Sequence, residues 1–199
     1  MRATSLPTIY LARHGETEWS RALRHTGLTD LPLTVDGERA ARALGTRLGS
    51  QRFARVYTSP LQRAARTCQL AGFGEVAQTD ADLVEWNYGD YEGLRTSDII
   101  ATRPGWELFR DGCPRGESAA DVGARAERIL SRLLGAPGDV LVFSSAHLLR
   151  VLAARWLRLP PTAGTLLSLS TASVSILGTE HDVTPVLRLW NDTSHLSDA

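Results

Sequence analysis

The 199-residue sequence contains no lysine, so all 22 of its basic residues are arginine. Chemistry that needs a lysine amine, such as a Schiff base or the lysine of a phosphate-binding loop, is excluded. Charge of one sign is not in excess either, because the 22 basic residues meet 22 acidic ones. That balance argues against a nucleic-acid or anionic-membrane partner, since clustered positive charge holds both surfaces. Cysteine is scarce, and Cys68 and Cys113 stand far apart without CxxC or Cys/His spacing. Neither a disulfide framework nor a zinc knuckle is expected, and no metal site. No apolar run approaches the roughly 18 residues of a spanning helix, and residues 1–7 lack a charged-then-apolar leader pattern. The expectation is a cytoplasmic protein.

What is present reads as an ordinary folded chain, with 43% hydrophobic and 22% charged residues. One domain over residues 1–199 is expected from the length. Residues 8–12 form an apolar run that stops at Arg13-His14-Gly15, a buried strand ending in a loop. Thr34 can cap a helix carrying Ala40, Ala43, Leu44 and Leu48 at helical spacing, and residues 55–58 form a second strand. Ser59-Pro60 is a cap with proline at the first helical position, which opens a helix ending near Gly72. Residues 85–117 interleave Gly, Pro and Trp without sustained periodicity, the pattern of an insertion forming a rim. Helical spacing returns at 119–134, a continuous apolar strand at 140–143, and a helix at 148–157. Residues 173–177 and 183–190 read as a terminal strand pair with an edge open to homodimer formation, and 193–199 as a loose polar tail. Alternating strands and helices predict an α/β three-layer sandwich with a mainly parallel sheet. In such sheets ligands bind beyond the C-terminal ends of the strands.

The first strand delivers Arg13 and His14, a guanidinium beside an imidazole, followed by a glycine that lets the backbone approach a ligand. The second delivers Ser59 and, on the helix that follows, Arg63 and Arg66. Taken singly, these residues also fit a strand-end histidine and a solvated helix face.

Together they resemble a known family. Leu11-Ala-Arg-His-Gly-Glu-Thr-Glu-Trp19 resembles the Arg-His-Gly signature of the histidine phosphatase superfamily, which includes the cofactor-dependent phosphoglycerate mutases. Further segments follow in the family's order: His25-Thr-Gly-Leu-Thr-Asp-Leu-Pro-Leu-Thr34, Thr58-Ser-Pro-Leu-Gln-Arg-Ala-Ala-Arg-Thr67, Glu85-Trp-Asn-Tyr-Gly-Asp-Tyr-Glu-Gly93, Trp106 through Arg110-Asp-Gly-Cys113 with Gly116-Glu-Ser118, and Leu148-Leu-Arg-Val-Leu-Ala-Ala-Arg-Trp156. The middle blocks are most similar to sedoheptulose-1,7-bisphosphatases and broad-specificity acid phosphatases. The resemblance implies a phosphoglycerate mutase-like fold and a phosphatase that needs no cofactor or metal and acts on small phosphomonoesters, sugar phosphates or bisphosphates. His14 would attack phosphorus, Glu85 would give the leaving oxygen its proton, and Arg13 and Arg63 would hold the phosphate oxygens. Ser20, Thr26, Gly27, Tyr88 and Arg110 match positions near the substrate, and Trp106, Arg115, Glu117 and Ser118 stand in the same rim segment.

The family carries a second histidine after a later strand, where this chain reads Ser144-Ser-Ala-His-Leu148. With the following helix as register, Ser145 takes the position of that histidine and His147 that of the outer one in the His-Gly-His form. Both are expected to contact phosphate. A serine hydroxyl donates a hydrogen bond but brings no charge, and losing one transition-state donor costs on the order of 10² to 10³ in rate. Alternatives to a phosphatase are therefore mutase-type phosphoryl transfer and a catalytically weak phosphate-ester binding module.

Overall fold

The computed structural model describes residues 6–196. Its strands in chain order are Ile9–Arg13 (β1), Arg55–Thr58 (β2), Ala77–Thr79 (β3), Val140–Ser144 (β4), Val174–Glu180 (β5) and Thr184–Asp192 (β6). They form one sheet in the order β3-β2-β4-β1-β5-β6. Pairings β3–β2, β2–β4 and β4–β1 are parallel, and β1–β5 and β5–β6 are antiparallel. The helices are Glu18–Arg21 (α1), Val35–Leu48 (α2), Gln62–Leu70 (α3), Thr96–Thr102 (α4), Leu108–Asp111 (α5), Ala119–Leu134 (α6) and Ala146–Trp156 (α7).

The three layers follow from alternation along the strands. On β1 and β4, Ile9, Leu11, Val140 and Val142 enter the core under α6 and α7, while Ala12, Leu141 and Phe143 enter the core under α2 and α3. Strand β4 is buried at every residue, as a central parallel strand covered on both faces should be. Helix α6 is capped by Ser118, whose hydroxyl accepts the Asp121 N–H, and it buries Val122, Ala126, Ile129, Leu130 and Leu133 along one stripe. Each such aliphatic side chain taken from water stabilises the fold by roughly 1.5–3 kcal/mol.

Several expectations need correction. Helix α3 starts at Gln62, not at Ser59-Pro60, because its first N–H is capped from a distance by Asp30 Oδ1 at 2.8 Å. The polar strand β3 has too short a pattern to be read from sequence. The rim segment 85–117 is half core: Trp86, Tyr88, Ile99, Trp106, Leu108 and Phe109 join the cluster under α6 and α7. Trp86 meets Phe109 edge-on at 5.4 Å between ring centroids. The supposed tail is ordered through Leu196, with a turn at Ser194–Leu196 against α2 and His195 Nε2 3.0 Å from the Ala172 carbonyl; residues 197–199 lie outside the described residues. Cys68 and Cys113 are free, and burial pushes each thiol up to about 12.

Candidate active site

Strands β1 and β4 lie side by side and in parallel, so their C-terminal ends deliver His14 and Ser145 to one place; the His14 N–H bonds the Ser144 carbonyl at 3.0 Å. The glycine after His14 makes room for a neighbouring helix. A Cβ on Gly15 would overlap the Gly37 carbonyl of α2, so this close approach requires glycine. The His14 ring is buried, and its Nδ1 lies 2.7 Å from the Gly15 carbonyl. A carbonyl accepts only, so Nδ1 carries the proton and Nε2 keeps its lone pair. Burial, reinforced by the positive charges of Arg13 and Arg63, holds this histidine well below its usual range. The ring is therefore neutral near neutral pH, with a free lone pair at Nε2.

Two guanidinium groups flank it, each anchored to backbone carbonyls. Arg13 Nη1 donates to the Leu169 carbonyl at 2.5 Å. Arg63 is fully buried and donates to the carbonyls of Thr29, Thr26 and Gly27 at 2.9, 3.1 and 2.7 Å. The remaining Nε of each arginine, together with Ser145 Oγ, is buried without a hydrogen-bond partner among the described residues. Buried polar atoms are nearly always paired. All three belong to residues next to His14: Arg13 precedes it in the chain, the charge of Arg63 acts on its ring, and Ser145 follows the Ser144 carbonyl that His14 N–H reaches.

Glu85 is positioned by two elements. Ser145 is the N-cap residue of α7, yet its side chain makes no capping bond. The Glu85 carboxylate caps that helix instead: Oε1 accepts from Leu148 N at 2.8 Å and Oε2 from His147 N at 3.0 Å. Oε1 also accepts the Trp86 N–H at 2.8 Å. Arg125 of α6 holds the loop from behind, donating to the carbonyls of Asp82, Val84 and Glu85 and pairing with Glu117 at 2.8 Å. Arg125 is a positioning residue that no local sequence pattern marks.

The Tyr88 hydroxyl lies 2.6 Å from His147 Nδ1. Burial, with Glu85 nearby, raises Tyr88 well above its usual range, while burial and the charges of Arg150, His25 and Arg13 hold His147 well below its own. The tyrosine therefore donates, and neutral His147 keeps its N–H at Nε2. Its 3.9 Å approach to Glu85 Oε2 is accordingly not an ion pair.

Arg13, His14, Ser20, Thr26, Glu85, Tyr88 and His147 line a cavity of about 470 Å³, with Arg63 and Ser145 behind its wall. A larger groove of about 980 Å³ along α3 and β3 holds none of them, and there Arg66 pairs with Glu38 at 2.8 Å. No cluster of three or more His, Cys, Asp or Glu with metal-ligand character occurs among the described residues.

The sequence profile described as the histidine phosphatase superfamily (branch 1) matches residues 9–193. The chain belongs to the histidine phosphatase superfamily. It is 40% identical over 179 residues to the acid phosphatase of Mycobacterium tuberculosis, covering 88% of each chain. It is 36% identical over 182 residues to the sedoheptulose 1,7-bisphosphatase of Saccharomyces cerevisiae, covering 75% of this chain and 67% of that one. A solved structure of an open reading frame product from Mycobacterium tuberculosis superposes with a TM-score of 0.86 at 38% identity, covering 93% and 97% of the two chains. The chain is thus a histidine phosphatase enzyme with a phosphoglycerate mutase-like fold.

Within this phosphatase the rim residues are not where the sequence suggested. Arg110 turns to Asp111 at 2.7 Å and to the Gly105 carbonyl, outside the cavity. Arg115 pairs with Asp90, Glu117 with Arg125, and Trp106 is buried, donating to the Gly112 carbonyl at 2.9 Å. Each of these polar groups has a partner close at hand in its own layer. Gly27 stands just behind the wall, its N–H held by Glu92 at 2.8 Å. Sequence reasoning missed Leu23, Arg24, His25, Arg95, Thr96 and Ser97, which form the mouth. The available signal was adjacency: Arg24 and His25 precede Thr26, and Arg95 follows the Glu85–Gly93 block. No helix among the described residues is long and apolar enough to cross a membrane.

Proposed function

We propose that this chain hydrolyses small phosphomonoesters, sugar phosphates or bisphosphates, through a phosphohistidine on His14. In the first step Nε2 forms a bond to phosphorus, the ester P–O bond breaks, and the leaving oxygen takes a proton from Glu85. In the second, water adds to phosphorus, its proton passes to Glu85, and the P–N bond breaks to release inorganic phosphate. Glu85 Oε1 already accepts two N–H bonds and Oε2 one, so Oε2 is the oxygen that carries and returns the proton. Arg13, Arg63 and Ser145 donate to the phosphate oxygens, where fixed donors in a water-poor pocket stabilise the transition state without reorganising. His147 Nε2–H supplies a further donor from the wall, and Ser20, Thr26 and Tyr88 contact the rest of the substrate.

The observation that carries this reading is the trio of unpartnered buried atoms, Arg13 Nε, Arg63 Nε and Ser145 Oγ, around a histidine whose Nε2 is unprotonated. The test is hydrolysis of para-nitrophenyl phosphate with chelator present, together with trapping of acid-labile, base-stable phosphoenzyme. His14→Ala should lose turnover by a factor of about 10⁴ or more and trap no phosphoenzyme. Ser145→His should change turnover modestly. An active His14→Ala protein would overturn the assignment, and an inert native protein awakened by Ser145→His would mean a binding role.

A further inference from the structure

The mouth of the cavity holds charge that the chemistry at its floor does not use. Arg24 and Arg95 face each other in an isolated antiparallel bridge, beside a 2.8 Å hydrogen bond from His25 N to the Leu94 carbonyl. Both line the cavity that contains His14 and Glu85. Side chains directly opposite across such a bridge are neighbours, and like charges there are unfavourable. Neither guanidinium pairs with a carboxylate among the described residues. Arg24 Nη1 makes only a 3.3 Å contact to the Gly93 carbonyl. Asp98, three residues beyond Arg95, accepts that residue's backbone N–H at 3.0 Å. The contrast with nearby arginines is plain, since Arg21, Arg110, Arg115 and Arg125 each have an acidic partner.

The backbone at this place is also held in an uncommon state. Leu23 has φ of 57°, in the left-handed region, and the residue is 79% exposed at the mouth. The Arg24 N–H then closes back on the Trp19 carbonyl at 2.9 Å, and the turn brings Arg24 opposite Arg95. Strained backbone of this kind persists where the surroundings or a function hold it.

We propose that Arg24 and Arg95 form a subsite for a second phosphate, so that the cavity takes a small bisphosphate with one phosphate at His14 and the other between the two guanidinium forks. This rests on the phosphohistidine reading of the floor. A phosphate dianion offsets the mutual repulsion of the pair with one group, and its oxygens accept from both planar forks. A carboxylate monoanion needs only one fork. Between the two ends, Thr26, Thr96 and Ser97 offer hydroxyl groups to a polyhydroxylated chain, in a cavity of about 470 Å³.

Two measurements test the subsite, one with turnover and one without. The ratio of kcat/KM for fructose 1,6-bisphosphate to that for para-nitrophenyl phosphate should fall roughly 30-fold or more in the Arg24→Gln/Arg95→Gln double variant, the loss expected for charge-assisted hydrogen bonds. In a His14→Ala background, calorimetry should find fructose 1,6-bisphosphate bound at least about 30-fold more tightly than fructose 6-phosphate, with the difference shrinking to about threefold once both arginines are replaced. A ratio unmoved by the double substitution, or an affinity difference that is absent or survives it, overturns the subsite. If the native protein turns over no phosphomonoester, the phosphohistidine reading fails, and the calorimetric comparison still decides the subsite.

Discussion

Two pairs of arginines lie in or beside this cavity, and they differ in everything but their chemistry. Arg13 and Arg63 at the floor are tied to backbone carbonyls of two separate loops, and burial pulls both below their ordinary range against the opposing pull of Glu85. Arg24 and Arg95 at the mouth are exposed and have no acidic partner among the described residues. A buried, tethered donor is already in place when charge develops in the transition state, so its value is catalytic. An exposed donor is screened by solvent and pays in side-chain freedom for every contact, so it can discriminate between substrates but contributes little to the chemical step.

The sharpest way to break this comparison is Arg63→Met. It should lower kcat/KM by about 10² to 10³ for para-nitrophenyl phosphate and fructose 1,6-bisphosphate alike. An equal loss on both marks a floor residue; a loss confined to the bisphosphate would erase the distinction from the mouth. Arg125→Met tests whether the floor depends on support from behind. Removing one partner of this largely buried pair should destabilise the protein by about 3 kcal/mol in a denaturant titration and lower kcat, because the Asp82, Val84 and Glu85 carbonyls lose their donor. Unchanged kcat would show that Glu85 is held by α7 alone.

Ser145→Ala separates catalysis from stability. Since Ser145 Oγ has no partner among the described residues, its removal should leave Tm within about 1 °C while kcat falls about 10-fold to 100-fold. A fall in Tm would mean that the hydroxyl serves the fold. Acidity provides a further contrast. His14, His25 and His147 are all held below the ordinary histidine value near 6.5 by burial. The unfolded chain therefore takes up protons first as pH falls, so stability is full above about pH 6.5 and declines below it, by at most about 1.4 kcal/mol per pH unit for each histidine. Thermal melts from pH 7.5 to 5 should show this decline, with a shallower slope in His147→Gln. The smallest effect concerns salt. Raising ionic strength from about 0.01 to 0.15 M shortens the screening length from about 30 to 8 Å. The kcat/KM for the bisphosphate should fall about threefold more than that for para-nitrophenyl phosphate, and parallel declines would remove the mouth from substrate capture.

Much of the floor was legible because its residues fall at places where local pattern is strong. An apolar run breaks at Arg13-His14-Gly15, and another breaks at Ser144-Ser145, and the pairing of β1 with β4 brings the two breaks together. The mouth was not legible. Arg110 and Arg115 are as basic as Arg24 and Arg95 and sit in a segment of suitable composition, but the former meet Asp111 and Asp90 while the latter meet each other. Which arginine is left with an unmatched charge is a property of pairs distant in sequence. The same holds for Glu85, whose role in capping α7 spans more than 60 residues of chain.

By itself, then, the sequence determined the alternation of the long strands and helices, the burial of β4 and which residues follow the C-terminal ends of β1 and β4. These depend on periodicity and on contiguous residues, which the chain carries wherever it folds. Only the tertiary structure decided that Gly15 makes room for α2, that Glu85 caps α7, that Arg125 braces it and that Arg24 confronts Arg95. Those facts depend on which distant groups come within a few ångströms, and hydrogen bonds and charges act only over such distances.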